Sequence, residues 1–259
     1  MNKFTTIALS SSILFSSCIH LYYVPNVQNV PLFKEKNEYR FSGSLGSSAT
    51  ITQIDVQAAY SVTDNIGIMV DYMTAKDVDS ESNNFGGAIG YFKPIEAAGV
   101  FEIYGGLGGG KQHHEYEIVT SFYPLSFTTG TSELSHFKLY VQPSFGFTNN
   151  VIDIALSTRF TRLSFPKVST SPGLVGKSSY WTVHSLNDKS HFLIEPAVTL
   201  RAGFKNVKAQ IQYMHVERLT EHRYDFHSPA TISIGIYIAL GERLKKSFPK
   251  EQATKQHQD

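Results

Sequence analysis

Thr231-Ile232-Ser233-Ile234-Gly235-Ile236-Tyr237-Ile238-Ala239-Leu240 alternates without a fault. Successive side chains of a strand point to opposite faces, so the four isoleucines and Leu240 share one wholly apolar face. Thr231, Ser233, Gly235, Tyr237 and Ala239 form the other, which is smaller and more polar. The pattern recurs about ten times between Glu38 and Leu240. Short and long connections take turns between the repeats. A chain of this kind reads as all-β, an antiparallel up-and-down transmembrane β-barrel of about ten strands, with eight as the alternative count.

Working back from that stretch, strands are expected near 38–46, 51–62, 66–75, 84–93, 99–117, 134–147, 152–160, 192–201 and 207–213. Turns rich in Asn, Asp or Pro fall at 63–65, 94–98, 148–150 and 204–206, and residues of these types suit tight backbone. Longer connections are expected at 76–83, 118–133, 165–189 and 220–228, and only the first, near 47–50, is short. Outer-membrane barrels keep short turns in the periplasm and long loops outside. Ten strands put both chain ends on the periplasmic side. Pro143 and Pro196 interrupt predicted strands, so each predicts a bulge or a missing ladder bond. The glycines of Gly105-Gly106-Leu107-Gly108-Gly109-Gly110-Lys111 suit curvature and close approach, and their spacing is not that of a phosphate loop.

Charged residues make up 17% of the 259, against roughly 25% in soluble domains. A formal net charge of +1 gives no reason to expect nucleic acid as a partner. No stretch reaches the roughly 18 apolar residues of a membrane helix. Residues 1–17, with Lys3, an apolar core and small residues after it, read as an export signal. Cys18 is the sole cysteine, so no intrachain disulfide forms. Residues 18–37 read as a periplasmic tether or a plug-like crossing at the near end of the barrel. Pro25 and Pro31 hold their neighbours extended there. The barrel is expected over 38–240, and 241–259 as a disordered polar tail.

The polar faces carry Arg40, Asp55, Asp71, Glu102, Lys138, Asp153, Arg159, Glu195, Arg201 and Lys208. Inside a barrel these opposite charges are expected to pair as a lumen network, because isolated buried charge is expensive. On a soluble secreted β-sandwich, the competing fold and a binding module, they would be a solvated face. Side chains largely fill so narrow a barrel. The first functional expectation is therefore a non-enzymatic outer-membrane barrel with a structural or surface role, or a narrow pore, monomeric and partnered by outer-membrane lipids. The alternative is a rim-located hydrolase acting on lipid or peptide. His113 and His136 with Glu115 and Glu133 are its candidates, as an acid–base pair. No Ser or Asp stands in a motif that selects it as nucleophile. The same region offers no convincing metal set, since adjacent side chains such as His113 and His114 point apart on a strand; neither a metal nor a cofactor is expected.

Ser16-Ser17-Cys18 resembles the cleavage boundary of bacterial lipoproteins. That resemblance implies a mature chain beginning at Cys18 with its acyl chains, such as palmitate, on the cysteine, there able to enter the inner leaflet. With the leader Val24-Pro25-Asn26-Val27-Gln28-Asn29-Val30-Pro31-Leu32-Phe33-Lys34-Glu35-Lys36 and the strand Asp55-Val56-Gln57-Ala58-Ala59-Tyr60-Ser61-Val62-Thr63, the chain is similar to uncharacterised outer-membrane barrel lipoproteins of the Bacteroidetes type. The resemblance implies an outer-membrane location and supplies no active-site residues.

Overall fold

A computed structural model of the protein describes residues 21–48, 51–95, 98–221 and 225–241. The export signal, Cys18, His222 and the tail past Gly241 lie outside the described residues. In chain order the strands are β1 Tyr39–Ser48, β2 Ile51–Ser61, β3 Ile66–Lys76, β4 Ser80–Ile95, β5 Gly99–Phe122, β6 Leu125–Thr148 and β7 Ile152–Thr170. After a 3-10 turn at Pro172–Leu174 and helix α1, Ser178–Leu186, come β8 Ser190–Gly203, β9 Val207–His215, the two-residue β10 Glu217–Arg218 and β11 Ala230–Leu240.

Each strand from β1 to β9 pairs antiparallel with the next, β11 pairs with both β9 and β1, and the ring closes. The molecule is a closed ten-stranded antiparallel barrel, with β10 an extra pairing on β8 at Leu193 and Ile194. Burial alternates along the wall. Ile232 and Ile234 are 56% and 59% exposed on the outside, whereas Thr231, Ser233 and Tyr237 are buried inside. An apolar exterior around a polar, buried interior is the inverse of a soluble fold. It is what hydrocarbon solvent demands, and closure leaves no unpaired strand edge within it.

The turns at one end are built by side chains that replace the ladder. Thr63 Oγ1 accepts from the amides of Asn65 and Ile66, and Asn149 Oδ1 accepts from those of Val151 and Ile152. At the other end the strands run further than the sequence suggests. The expected loop 118–133 is a continuation of β5 and β6, which turn at Tyr123 and Pro124. Their exposed positions mix Glu115, Glu117 and Thr129 with Leu125 and Phe127, so no steady apolar face marks them in the sequence. Likewise β7 runs on to Thr170, β4 starts at Ser80, and the cap between β7 and β8 contains a helix. Helix α1 buries Val183 and Leu186 against Tyr22, Tyr23, Phe165 and Phe226, which closes part of that mouth. Asp188, at φ +57°, turns the chain from α1 into β8.

Pro143 and Pro196 each face a gap in one ladder. Pro143 pairs with Ile103 of β5 but has no partner on β7; Pro196 pairs with Thr158 of β7 at the point where β8 exchanges β10 for β9 on its other side. The register shifts lie elsewhere, between Val119 and Ser121 and between Ser135 and Phe137. The glycine run of β5 also has a steric cause. Gly106, Gly108 and Gly110 pair across the ladder with Tyr140, Lys138 and His136. A Cβ on those glycines would lie 2.3, 2.8 and 2.8 Å from the three side chains, so their absence makes room for large inward groups of β6.

Candidate functional site in the barrel lumen

The lumen is occupied by the chain itself. Tyr22, Tyr23, Val24, Asn26, Val27, Gln28, Asn29, Val30, Leu32 and Phe33 are all buried inside the ring. Of the two expectations for this segment, the described residues make the crossing, and they make it over the full length of the barrel. Pro25 and Pro31 have no backbone N–H to satisfy, and the amides and carbonyls between them must find partners on the wall.

Those partners come from around the whole ring. Asp55 of β2 accepts from the Val27 amide at 2.9 Å, and Asp71 of β3 from Asn26 Nδ2 at 2.7 Å. Glu102 of β5 accepts from the Phe33 amide at 3.1 Å. On β6, Lys138 Nζ donates to Asn26 Oδ1 at 2.5 Å and Gln142 Nε2 to the Asn29 carbonyl at 2.7 Å. Arg159 of β7 donates to the Asn26 carbonyl at 3.0 Å, and Arg201 of β8 to that of Val30 at 2.8 Å. Gln212 of β9 bonds Gln28 twice, while Arg40 of β1 and Tyr237 of β11 both donate to the Pro31 carbonyl. On the remaining strand, β4, Phe92 packs against Phe33 with ring centroids 5.4 Å apart. A segment touching all ten walls runs along the axis.

All ten charges expected in the lumen lie inside, five cations and five anions, and every one is buried. They pair with one another only in part. Arg159 and Glu195 form an ion pair, with Nε donating at 2.6 Å. Asp153 takes Lys208 at 2.5 Å and Arg201 at 3.9 Å. Arg40 pairs with Glu38 at 2.8 Å, a carboxylate outside the predicted ten. Asp55, Asp71, Glu102 and Lys138 are instead turned onto the threaded segment. At the short-turn mouth a cleft of about 80 Å³ remains, lined by Lys34, Arg40, Asp153, Lys208 and Tyr237 among others.

The rim histidines are dispersed. His113 is half-exposed on the outer face, its ring nitrogens 3.7 Å from Glu115 and 3.8 Å from Glu133, both beyond hydrogen-bond reach. His136 points the other way, buried against Tyr23 and Phe165 at centroid distances of 5.5 and 6.4 Å. The four candidate residues therefore form no single cleft. Among the described residues no group of three metal-binding side chains converges.

The polar residues that matter most were absent from the sequence-based list: Asn26, Gln28, Asn29, Gln142 and Gln212. Their signal was present as amide side chains between two prolines, facing amide side chains at inward positions of the strands. An amide both donates and accepts, so it can satisfy an extended backbone without adding charge.

No protein-family model matches the chain, and no curated protein matches it. Solved structures align with it over most of its length. The outer membrane protease OmpT from Escherichia coli is 8% identical with a TM-score of 0.47, over 80% of this chain and 98% of that one. The NanC porin is 10% identical with a TM-score of 0.40, over 78% and 100%. The translocator domain of the autotransporter NalP from Neisseria meningitidis is 6% identical with a TM-score of 0.40, over 78% and 86%. Identities this low assign no role. The ring, its apolar outside and its polar inside establish an outer-membrane-type β-barrel on their own.

Proposed function

We propose that the protein is a non-enzymatic outer-membrane barrel sealed by its own N-terminal segment, acting as a membrane-embedded scaffold for the surface at its long-loop end. The observation that carries this reading is the axial course of residues 22–33, bonded to or packed on all ten strands. A pore needs a continuous water path, and here the segment occupies the axis, with Asp55, Glu102, Gln142, Arg159 and Arg201 of the wall bonded to its backbone. The short turns face the periplasm and the long loops the exterior, as in other barrels of this class. A lipid on Cys18, and kinship with the Bacteroidetes-type lipoproteins it resembles, belong to the same proposal.

Purified protein in planar bilayers tests the seal. The expected result is a silent membrane at moderate voltage; stable conductance steps from the intact chain would overturn the reading. The rim hydrolase stands second: His113 is flanked by Glu115 and Glu133, at 3.7 and 3.8 Å, beyond hydrogen-bond reach in this arrangement. Turnover of peptide or phospholipid ester that disappears in His113→Gln would promote it. No turnover by the folded protein removes it.

A further inference from the structure

The threaded segment has a direction, and the direction settles where each end of the described chain leaves the barrel. At the long-loop end, Leu21 packs with Ile51, Met73 and Ala75, at the loop ends of β2 and β3. The amides of Tyr22 and Tyr23 donate to the Phe226 carbonyl at 2.7 and 2.9 Å, and that of Ser228 to the Tyr23 carbonyl at 3.0 Å. Tyr22 Oη lies 3.2 Å from Tyr116 Oη on the upper part of β5. At the short-turn end, Lys34 Nζ donates to the Thr148 carbonyl, the Lys36 amide to Asp64, and the Asn37 amide to the Ser61 carbonyl. Between these limits the wall partners descend in order, from Asp71 and Arg159 to Arg201, Arg40 and Glu102. The segment is an eleventh crossing. Leu21 and Gly241 stand at opposite mouths.

We propose that the chain is threaded through its own barrel in the membrane, so that it leaves the barrel on the outer face at Leu21 and on the periplasmic face at Gly241. The inference rests on the orientation adopted above, long loops outward. It reverses the expectation from strand parity, which places both ends in the periplasm by counting only wall strands. Cys18 precedes Leu21 by three residues, and three residues span at most about 11 Å. An acyl chain on its sulfur would then enter the outer leaflet, not the inner one.

The segment adds bonds to Asp71 and Lys138 through Asn26, and to Asp55 and Glu102 through the amides of Val27 and Phe33, beside those that Gln53 and Ser144 of the wall give Asp55 and Glu102.

Membrane-impermeant maleimide on intact cells tests the threading, with His20→Cys in a Cys18→Ala background as the probe. Val78→Cys, at a 92% exposed long-loop position, and Phe204→Cys, at an 83% exposed short turn, calibrate the two faces. Heat-modifiable migration verifies that each variant is folded. Labelling of His20→Cys equal to that of Val78→Cys, with Phe204→Cys protected until the membrane is permeabilised, is the expected result. Protection of His20→Cys while Val78→Cys is labelled overturns the threading alone. Protection of Val78→Cys with labelling of Phe204→Cys overturns the orientation on which it rests. An epitope tag inserted between His20 and Leu21 of the otherwise native chain repeats the measurement with Cys18 intact. Antibody binding to whole cells supports the proposal, and binding only after lysis sinks it.

Discussion

Arg159 has two sets of partners inside the barrel, the Glu195 carboxylate and the oxygens of Asn26. Removing one member of a buried ion pair leaves the other uncompensated, at a cost of about 3–5 kcal/mol. Arg159→Met is therefore expected to lower the free energy of unfolding by that amount, measured by denaturant titration in detergent. The double variant with Glu195→Met should recover part of the loss, since no lone charge remains. At the loop mouth, burial pushes the His227 imidazole below its ordinary value. Its folded pKa is depressed while the unfolded one stays near 6.5, so the unfolded or opened state takes up more protons as pH falls. The stability this group contributes is complete above about 6.5 and is lost below it. The amide protection factors of Tyr22 and Tyr23, which donate to the neighbouring Phe226 carbonyl, should fall on acidification once the pH dependence of the intrinsic exchange rate is divided out. In His227→Gln the acid effect should vanish; an unchanged pH profile in that variant would count against the assignment.

Single elements show which features of the pattern were readable. The outer faces of all ten strands follow from alternation, because a one-residue slip would turn every apolar group into the lumen. Strand ends were not readable where β5, β6 and β7 leave the bilayer, since alternation there no longer reports a greasy solvent. Beyond Glu115 the β5–β6 ribbon has no strand neighbours, its partners running only from Thr131 down to Leu125. Amide protection should fall off past Glu115 while the barrel core stays protected. The glycine run divides by face. Gly106→Ala puts a methyl 2.3 Å from the Tyr140 ring and should cost about 1–3 kcal/mol. Gly105→Ala points into open space and should stay within about 0.5 kcal/mol. Equal effects in a thermal unfolding comparison would refute the packing explanation.

For the whole molecule, the apolar belt and the sealed axis make separate predictions. Cys18→Ala should leave the barrel in the membrane fraction. One lipid chain anchors only marginally, whereas the belt of Ile, Leu, Val, Phe and Tyr around ten strands remains. Recovery of that variant in the soluble periplasm would contradict the bilayer reading. Deleting residues 21–33 exposes five cations and five anions along the axis. A folded variant of this kind, verified by heat-modifiable migration, is expected to conduct in planar bilayers where the intact chain does not. If both are silent, the threaded segment is not what closes the lumen.

Alternation along the strands and the alternation of short with long connections pointed to a barrel of about ten strands and to its two faces, and closure of the ring decided ten over eight and barrel over sandwich. Both alternations are local, set by whether each side chain meets hydrocarbon or the interior, and the ten inward charges could be named on the same ground. Only the tertiary structure decided what those charges meet. Asn26, Gln28 and Asn29 lie from 29 to 184 residues away from the groups of the wall that they bond, and no periodicity marks a segment that belongs to no strand. The lumen has one axis for all ten walls, and which part of the chain takes it depends on closure of the ring. That condition exists only when the last strand, β11, meets the first.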